Sequence, residues 1–322
     1  MKLHSLLFLL LVVGSACETV VDVDIPKENP RLVVNAFISP GQDVGIRITK
    51  SKSVLDQAES FPLVTGAQVT LFENGQEVTQ LVDETAGWYT APFRPEPGRR
   101  YSVQASAEGA EAVEASSSIA APVLIRQLTA DTLQIESGVT CINEDCEPTY
   151  SQEYRLQLQL SDPGDTVNYY EIVAYAVTLD SLPQYDRMGN FVGYDTLRQR
   201  QRVSFQTDDP VVNNSFSSVV GDEFYGSSLL FNDDLFSGEG YTVDFTTNNV
   251  SGYSTGSILK KLTVELRTLS EDQYQYLRTR DLQEFNNGDL FSEVVPVYSN
   301  VENGFGIFAG YSADSVVVAA EE

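Results

Sequence analysis

The sequence predicts a mainly β protein: an N-terminal immunoglobulin-like β-sandwich, then a larger sandwich-like β domain with one short helix, behind a cleaved leader. Three observations carry this. Short stretches in which apolar and polar residues alternate recur along most of the 322 residues, the period-two signature of strands with one buried face. Clusters of Gly, Asn, Asp and Pro separate them at turn spacing. One stretch, around Tyr274, has a helical period instead.

The leader comes first. Lys2 precedes an unbroken apolar run from Leu6 to Val13, and the small residues Gly14, Ser15 and Ala16 stand directly ahead of Cys17, the order of an export signal. Eight helical residues cover only ~12 Å of a hydrocarbon layer about 30 Å thick, so the run is too short to span. A small-residue triplet ending at a cysteine resembles the bacterial lipobox, in which the thiol is acylated and the preceding bond is cut. Gly14 stands where the lipobox usually has Leu, and a plain secretory signal with a stray cysteine is the alternative. Several acyl chains on Cys17 would hold the protein at a membrane where one would not. Residues 1–16 are thus expected to be a signal peptide and 17–30 a lipidated N-terminus and tether.

The first domain is expected over residues 31–118. "RLVVNAFI" and "VGIRIT" read as paired strands, and "GAQVTLFENGQEVTQLV" as a hairpin whose Asn74-Gly75 tip supplies the positive φ angles of a tight turn. "AGWYTAPF" and "GRRYSVQAS" complete a sandwich. Gly66-Ala67-Gln68-Val69, Gly87-Trp88-Tyr89 and Tyr101 resemble the small transthyretin-like or carboxypeptidase-regulatory-type β domains. Such domains stiffen, space or recognise, and the fold alone does not choose among these.

The Ser/Ala-rich "EASSSIAAP" marks a boundary, and a larger β domain is expected over residues 119–322. Tyr154, Leu156, Leu158 and Leu160 point one way, and Leu262, Val264 and Leu266 repeat the pattern. "VNYYEIVAYAVTL" is apolar on both faces, as expected of a strand covered on each side. Ser270 with Gln273 forms a capping box, and Tyr274, Leu277, Leu282 and Phe285 make a core-packing stripe on the helix it opens.

Several chemistries are excluded by composition. The only histidine is His4, inside the leader, which removes Ser-His and Cys-His nucleophiles and His-ligated metals from the mature chain. With 46 acidic against 20 basic residues, nucleic acid and anionic lipid surfaces should be repelled. Cys141 and Cys146 are an even pair in an oxidising compartment and read as a disulfide, with two free thiols as the alternative. Ser257 to Lys260 fits S-x-x-K without that class's partner motifs. The acid pairs Asp208-Asp209 and Asp233-Asp234 read as solvated loops, and no Asp-rich loop has EF-hand spacing. No catalytic residue, metal or cofactor is expected, and the protein reads as non-enzymatic.

Near the C-terminus, glycines 304, 306 and 310 alternate with Phe305, Ile307 and Phe308, which suits a bulged or closely approached strand. A second reading makes this a Gly/aromatic edge offered to a partner barrel or extended ligand through backbone pairing. Tyr298, Asn300, Asn303, Phe305 and Phe308 are then the candidate partner-facing residues.

The successive blocks "CETVVDVDIP", "RLVVNAFIS", "SDPGDTVNYYEI", "FNDDLFSGEGY", "LSEDQYQYLRT" and "VVPVYSNVENGFGIFAGYSADS" resemble a Bacteroidetes lipoprotein family, Domain of Unknown Function four-two-four-nine. The resemblance covers nearly the whole mature chain. It implies an outer-membrane lipoprotein whose gene often lies beside one for a TonB-dependent receptor, and it implies no catalytic residue. Surface-exposed lipoproteins of that phylum often carry an acidic run after the lipidated cysteine. Here Thr19, Val20 and Val21 separate Glu18 from Asp22, so the membrane face stays open. The expected role is a non-enzymatic accessory or ligand-binding component of a receptor barrel. The alternative is a structural or adhesive surface lipoprotein, with a carboxylate-based glycan hydrolase behind both.

Overall fold

Alternation builds the first sandwich, as the burial of its strands shows. In β1 (Leu32–Ile38) and β2 (Val44–Lys50), Leu32, Val34, Ala36, Ile38, Val44, Ile46 and Ile48 all turn inward. They meet Val69 and Leu71 of β3 (Gln68–Glu73) and Tyr101, Val103 and Ala105 of β6 (Arg100–Ser106) in one core. Between these lie β4 (Gln76–Thr85) and β5 (Trp88–Ala91), and β7 (Val113–Ser118) follows. Asn74 and Gly75 close the β3–β4 hairpin at φ 49° and 81°, the left-handed pair a two-residue turn requires. β4 turns the corner of the sandwich, pairing with β3 up to Leu81 and with β5 from Val82. Two buried tyrosines pin this core: Tyr89 OH donates to Val64 O and accepts from Ala67 N, while Tyr101 OH donates to Glu73 and accepts from Glu96 N.

The computed structural model describes residues 29–319 except 54–55, 57, 59, 86, 143–144, 165, 216–223, 249–257 and 287–293. Cys17, the tether to residue 28 and Ser257 lie outside the described residues.

The second unit is also sandwich-like. One layer holds β10 (Tyr169–Tyr185), β11 (Phe191–Arg202), β14 (Leu229–Asn232), β16 (Ile258–Leu269) and part of β18 (Phe305–Ala319). The other is the sheet β13-β12-β15-β9-β8, made of β8 (Ile125–Ile142), β9 (Asp145–Ser161), β12 (Ser204–Thr207), β13 (Phe224–Gly226) and β15 (Gly240–Asn248). Leu156, Leu158 and Leu160 from this layer pack against Tyr170, Ile172, Ala174, Leu262, Val264 and Leu266 from the first. A short helix, α1 (Pro210–Ser215), closes one end.

The sequence predicts one helix and the described residues hold two: α1 is not foreseen, and the expected helix is α2 (Glu271–Asn286), whose cap is Ser270 Oγ, accepting the Gln273 N–H at 3.2 Å. The reciprocal half of the capping box is not made, because the Ser270 N–H donates to Gly310 O instead. Tyr274 and Leu277 are buried, but Leu282 is only half-buried and Phe285 is exposed, so the core stripe ends after Leu277.

β18 joins the two units. Its first six residues pair in parallel with β1, from Val33↔Phe305 to Ile38↔Gly310. The rest pairs antiparallel with β16, from Leu269↔Tyr311 to Lys261↔Ala319. A hydrogen-bonded path of strands therefore runs through both units, and β17 (Val301–Glu302) adds to β7 on the far side. The first core accordingly contains Val301 and Phe308 beside residues 32–119.

Candidate interaction surfaces

The five C-terminal candidates separate once the strand is placed. Phe308 is fully buried in the first core and presents nothing outward. Asn300 is turned inward too: its Oδ1 accepts the Phe308 N–H at 3.0 Å and its Nδ2 donates to Phe308 O and Ser116 O. Tyr298 OH donates to Asp272 Oδ1 at 2.8 Å, a contact with α2. Only Asn303 and Phe305 face solvent, Phe305 beneath the Arg31 guanidinium. The Gly/aromatic edge is not free for a partner over Phe305–Gly310, because β1 occupies it.

The glycines explain why β1, and at Gly310 β7, can come so close. Gly306 sits at φ 105°, and a Cβ there would run into the Val34 carbonyl. Side chains at Gly304 and Gly310 would strike Leu32 O and Ser118 O at 2.6 and 2.7 Å. The close-approach reading describes this segment, and a free recognition edge does not.

The acid pairs are not simply wet loops. Asp208 and Asp234 are exposed as expected, but Asp209 and Asp233 are buried. Asp209 caps α1, accepting from Val211 N at 3.0 Å, and also takes bonds from Tyr241 OH and Asp244 N. Asp233 accepts from Asn168 N at 3.0 Å, and burial, reinforced by the nearby Asp162 charge, raises its carboxyl above the usual range. Asp162 receives Tyr170 OH, Asn168 Nδ2, Gly164 N and Gly238 N. Asp209 and Asp233 take donors from distant segments that local composition does not reveal, whereas Asp162 draws most of its donors from within eight residues and one, Gly238 N, from far along the chain.

The outer face of β10 is covered by charge. Buried Glu171 receives Arg202 at 2.9 Å and Arg267 at 3.1 Å. Arg267 also bonds Glu265 and Tyr175 OH and stacks over Tyr311. This is the second cover that the two-sided strand pattern requires.

Two hairpins extend past the cores. β8–β9 ends at the Cys141–Cys146 disulfide. β10–β11 ends in a turn in which Asp186 accepts from Met188 N, Asn190 N and Asn190 Nδ2. Tyr185, Met188, Phe191, Val192 and Tyr194 are each more than half exposed there. Sequence reading missed this arm, although an Asp-x-x-Gly turn flanked by aromatics in "QYDRMGNFVGY" is its signal. A shallow groove of about 560 Å³ lies on the β8-β9-β15 face, floored by Leu133, Arg155, Gln157 and Phe245 with Asp208 and Asp244 at its side. A second, of about 430 Å³, runs between Gln68, Gln104 and Asn303.

Among the described residues, no cluster of three or more His, Cys, Asp or Glu side chains is arranged to hold a metal. None of the described helices is long and apolar enough to cross a membrane. A family model described as Domain of unknown function (DUF4249) matches residues 18–316, spanning both units. No curated protein matches the chain.

Proposed function

The chain belongs to the family described as Domain of unknown function (DUF4249), and on that premise we propose an outer-membrane lipoprotein that serves as a non-enzymatic accessory or ligand-binding component of a TonB-dependent receptor system. Cys17, directly after Gly14-Ser15-Ala16, is the anchor in this reading. Residues 18–28 give the anchored body a reach of at most about 40 Å.

The observation that carries the reading is the shared strand β18. Hydrogen-bonded to β1 and to β16, it holds whatever the second unit displays in fixed geometry relative to the tethered first unit. A rigid display on a short tether suits a protein that docks beside a membrane partner. The non-enzymatic part is supported by the use of Glu171, Asp162 and Asp209 as scaffold: each is bonded to protein donors. The adhesive alternative is favoured by one feature, the long disulfide-tipped β8–β9 hairpin.

Extraction of the native protein in mild detergent tests this. An accessory protein brings a receptor barrel through purification, whereas an adhesin comes alone.

A further inference from the structure

We propose that the β10–β11 arm is the docking element of this protein, inserting its aromatic tip into an apolar socket rimmed by carboxylates on a protein partner. The proposal rests on the accessory reading only in expecting that partner to be the receptor barrel.

The arm is built for contact. Phe191 packs edge-on against Tyr185 at 6.1 Å and Tyr194 at 5.1 Å. The Asp186 turn fixes Met188 at the apex, 89% exposed. Rigid aromatics, Met and Arg are what interface centres use, because they bring large contact area at small ordering cost. A prebuilt tip lowers that cost further.

Charge and backbone choose the occupant. Residues 182–202 carry four arginines against two aspartates, in a chain of net charge −26. Arg200 lies over the Tyr175 ring and Arg202 pairs with Glu171. Arg187 and Arg198 remain exposed on the arm and call for carboxylates opposite. A lipid surface fits poorly. Among the described residues, no strand but β11 pairs with β10 beyond Leu179, and none pairs with the outer edge of β11. Hydrocarbon cannot satisfy such open edges, whereas a partner strand can. A second copy is disfavoured by repulsion between two chains of −26.

The test places a photoreactive residue at position 188 of the full chain in intact cells, with position 77 as control, and maps cross-links residue by residue. The expected result is a cross-link from 188, and none from 77, to an apolar site flanked by Asp or Glu on a membrane protein. Tyr185→Ser, Met188→Ser, Phe191→Ser and Tyr194→Ser combined should lower recovery of that partner at least about tenfold with an unchanged urea midpoint. Arg187→Glu with Arg198→Glu, which leaves packing alone, should weaken it as well. Cross-links to lipid, to a second copy or to nothing overturn the proposal, as does full partner recovery by both variants. A mapped socket on a protein other than a barrel would keep the arm and remove the receptor reading. A barrel retained by every arm variant would do the reverse.

Discussion

Ser117 Oγ donates a 2.6 Å hydrogen bond to Asp272 Oδ2, joining the last residues of β7 to the first turn of α2. The other Asp272 oxygen takes the Tyr298 hydroxyl at 2.8 Å. One carboxylate thus links the first sandwich, the helix of the second and the segment leading to β18. Replacing it leaves two hydroxyls without their acceptor and removes an acid from a helix N-terminus, where it is favourable. Asp272→Ala should cost about 2 kcal/mol, read as a lower urea midpoint with unchanged slope, and Asp272→Asn should recover part of the loss.

Glu171 carries a different load, since it compensates two arginines on the covered face of β10. Removing one member of a buried pair strands the charge on the other. Glu171→Ala should destabilise by about 3 kcal/mol, with Arg202 partly open to water and Arg267 nearly enclosed. Thermal unfolding in low and high salt checks it: the loss should be similar in both, because salt screens buried pairs weakly.

Three tyrosines, Tyr170, Tyr241 and Tyr298, donate to Asp162, Asp209 and Asp272. Burial first, then these bonds, raises all three above the ordinary tyrosine value of 10.0, Tyr298 to about 12. A group that keeps its proton longer in the folded state contributes stability fully below the unfolded value. That contribution is lost as pH rises through the folded one. Stability should therefore fall from pH about 10 upward. Ultraviolet titration should show a late set of tyrosines ionising together with unfolding, and Tyr298→Phe should shrink that set.

Cys17→Ser removes the only thiol positioned for acylation after Gly14-Ser15-Ala16. The variant should move from membrane to soluble fractions and lack the mass of acyl chains. Unchanged retention and mass would defeat the lipoprotein reading.

Much of the scaffold was legible because its signals are local. The alternation of Leu156, Leu158 and Leu160, and of Leu262, Val264 and Leu266, marks strands that bury those residues completely. Asn74-Gly75 marks its turn. What escaped is long-range. Nothing within residues 305–319 tells that the strand changes partner, and orientation, at Gly310. Phe308 looks like a recognition aromatic until β1 is laid beside it. Asp209 and Asp233 look solvated until Tyr241 OH and the Asn168 backbone arrive from elsewhere in the chain. The site candidates at Tyr298 and Asn300 were chemically apt for hydrogen bonding, but their partners are inside this molecule. The arm's aromatics were equally visible, and only the fold shows that they leave the core.

The rigid display on which the functional reading rests is tested most directly by amide hydrogen exchange, comparing Val33–Ile38 of β1 with Lys261–Leu269 of β16 as urea is raised. If β18 binds both units into one body, the slowest amides of the two strands exchange through the same opening, with equal protection and equal urea dependence. Markedly weaker protection in β1, with its own shallower urea dependence while β16 stays closed, would show two independently opening units and contradict the account.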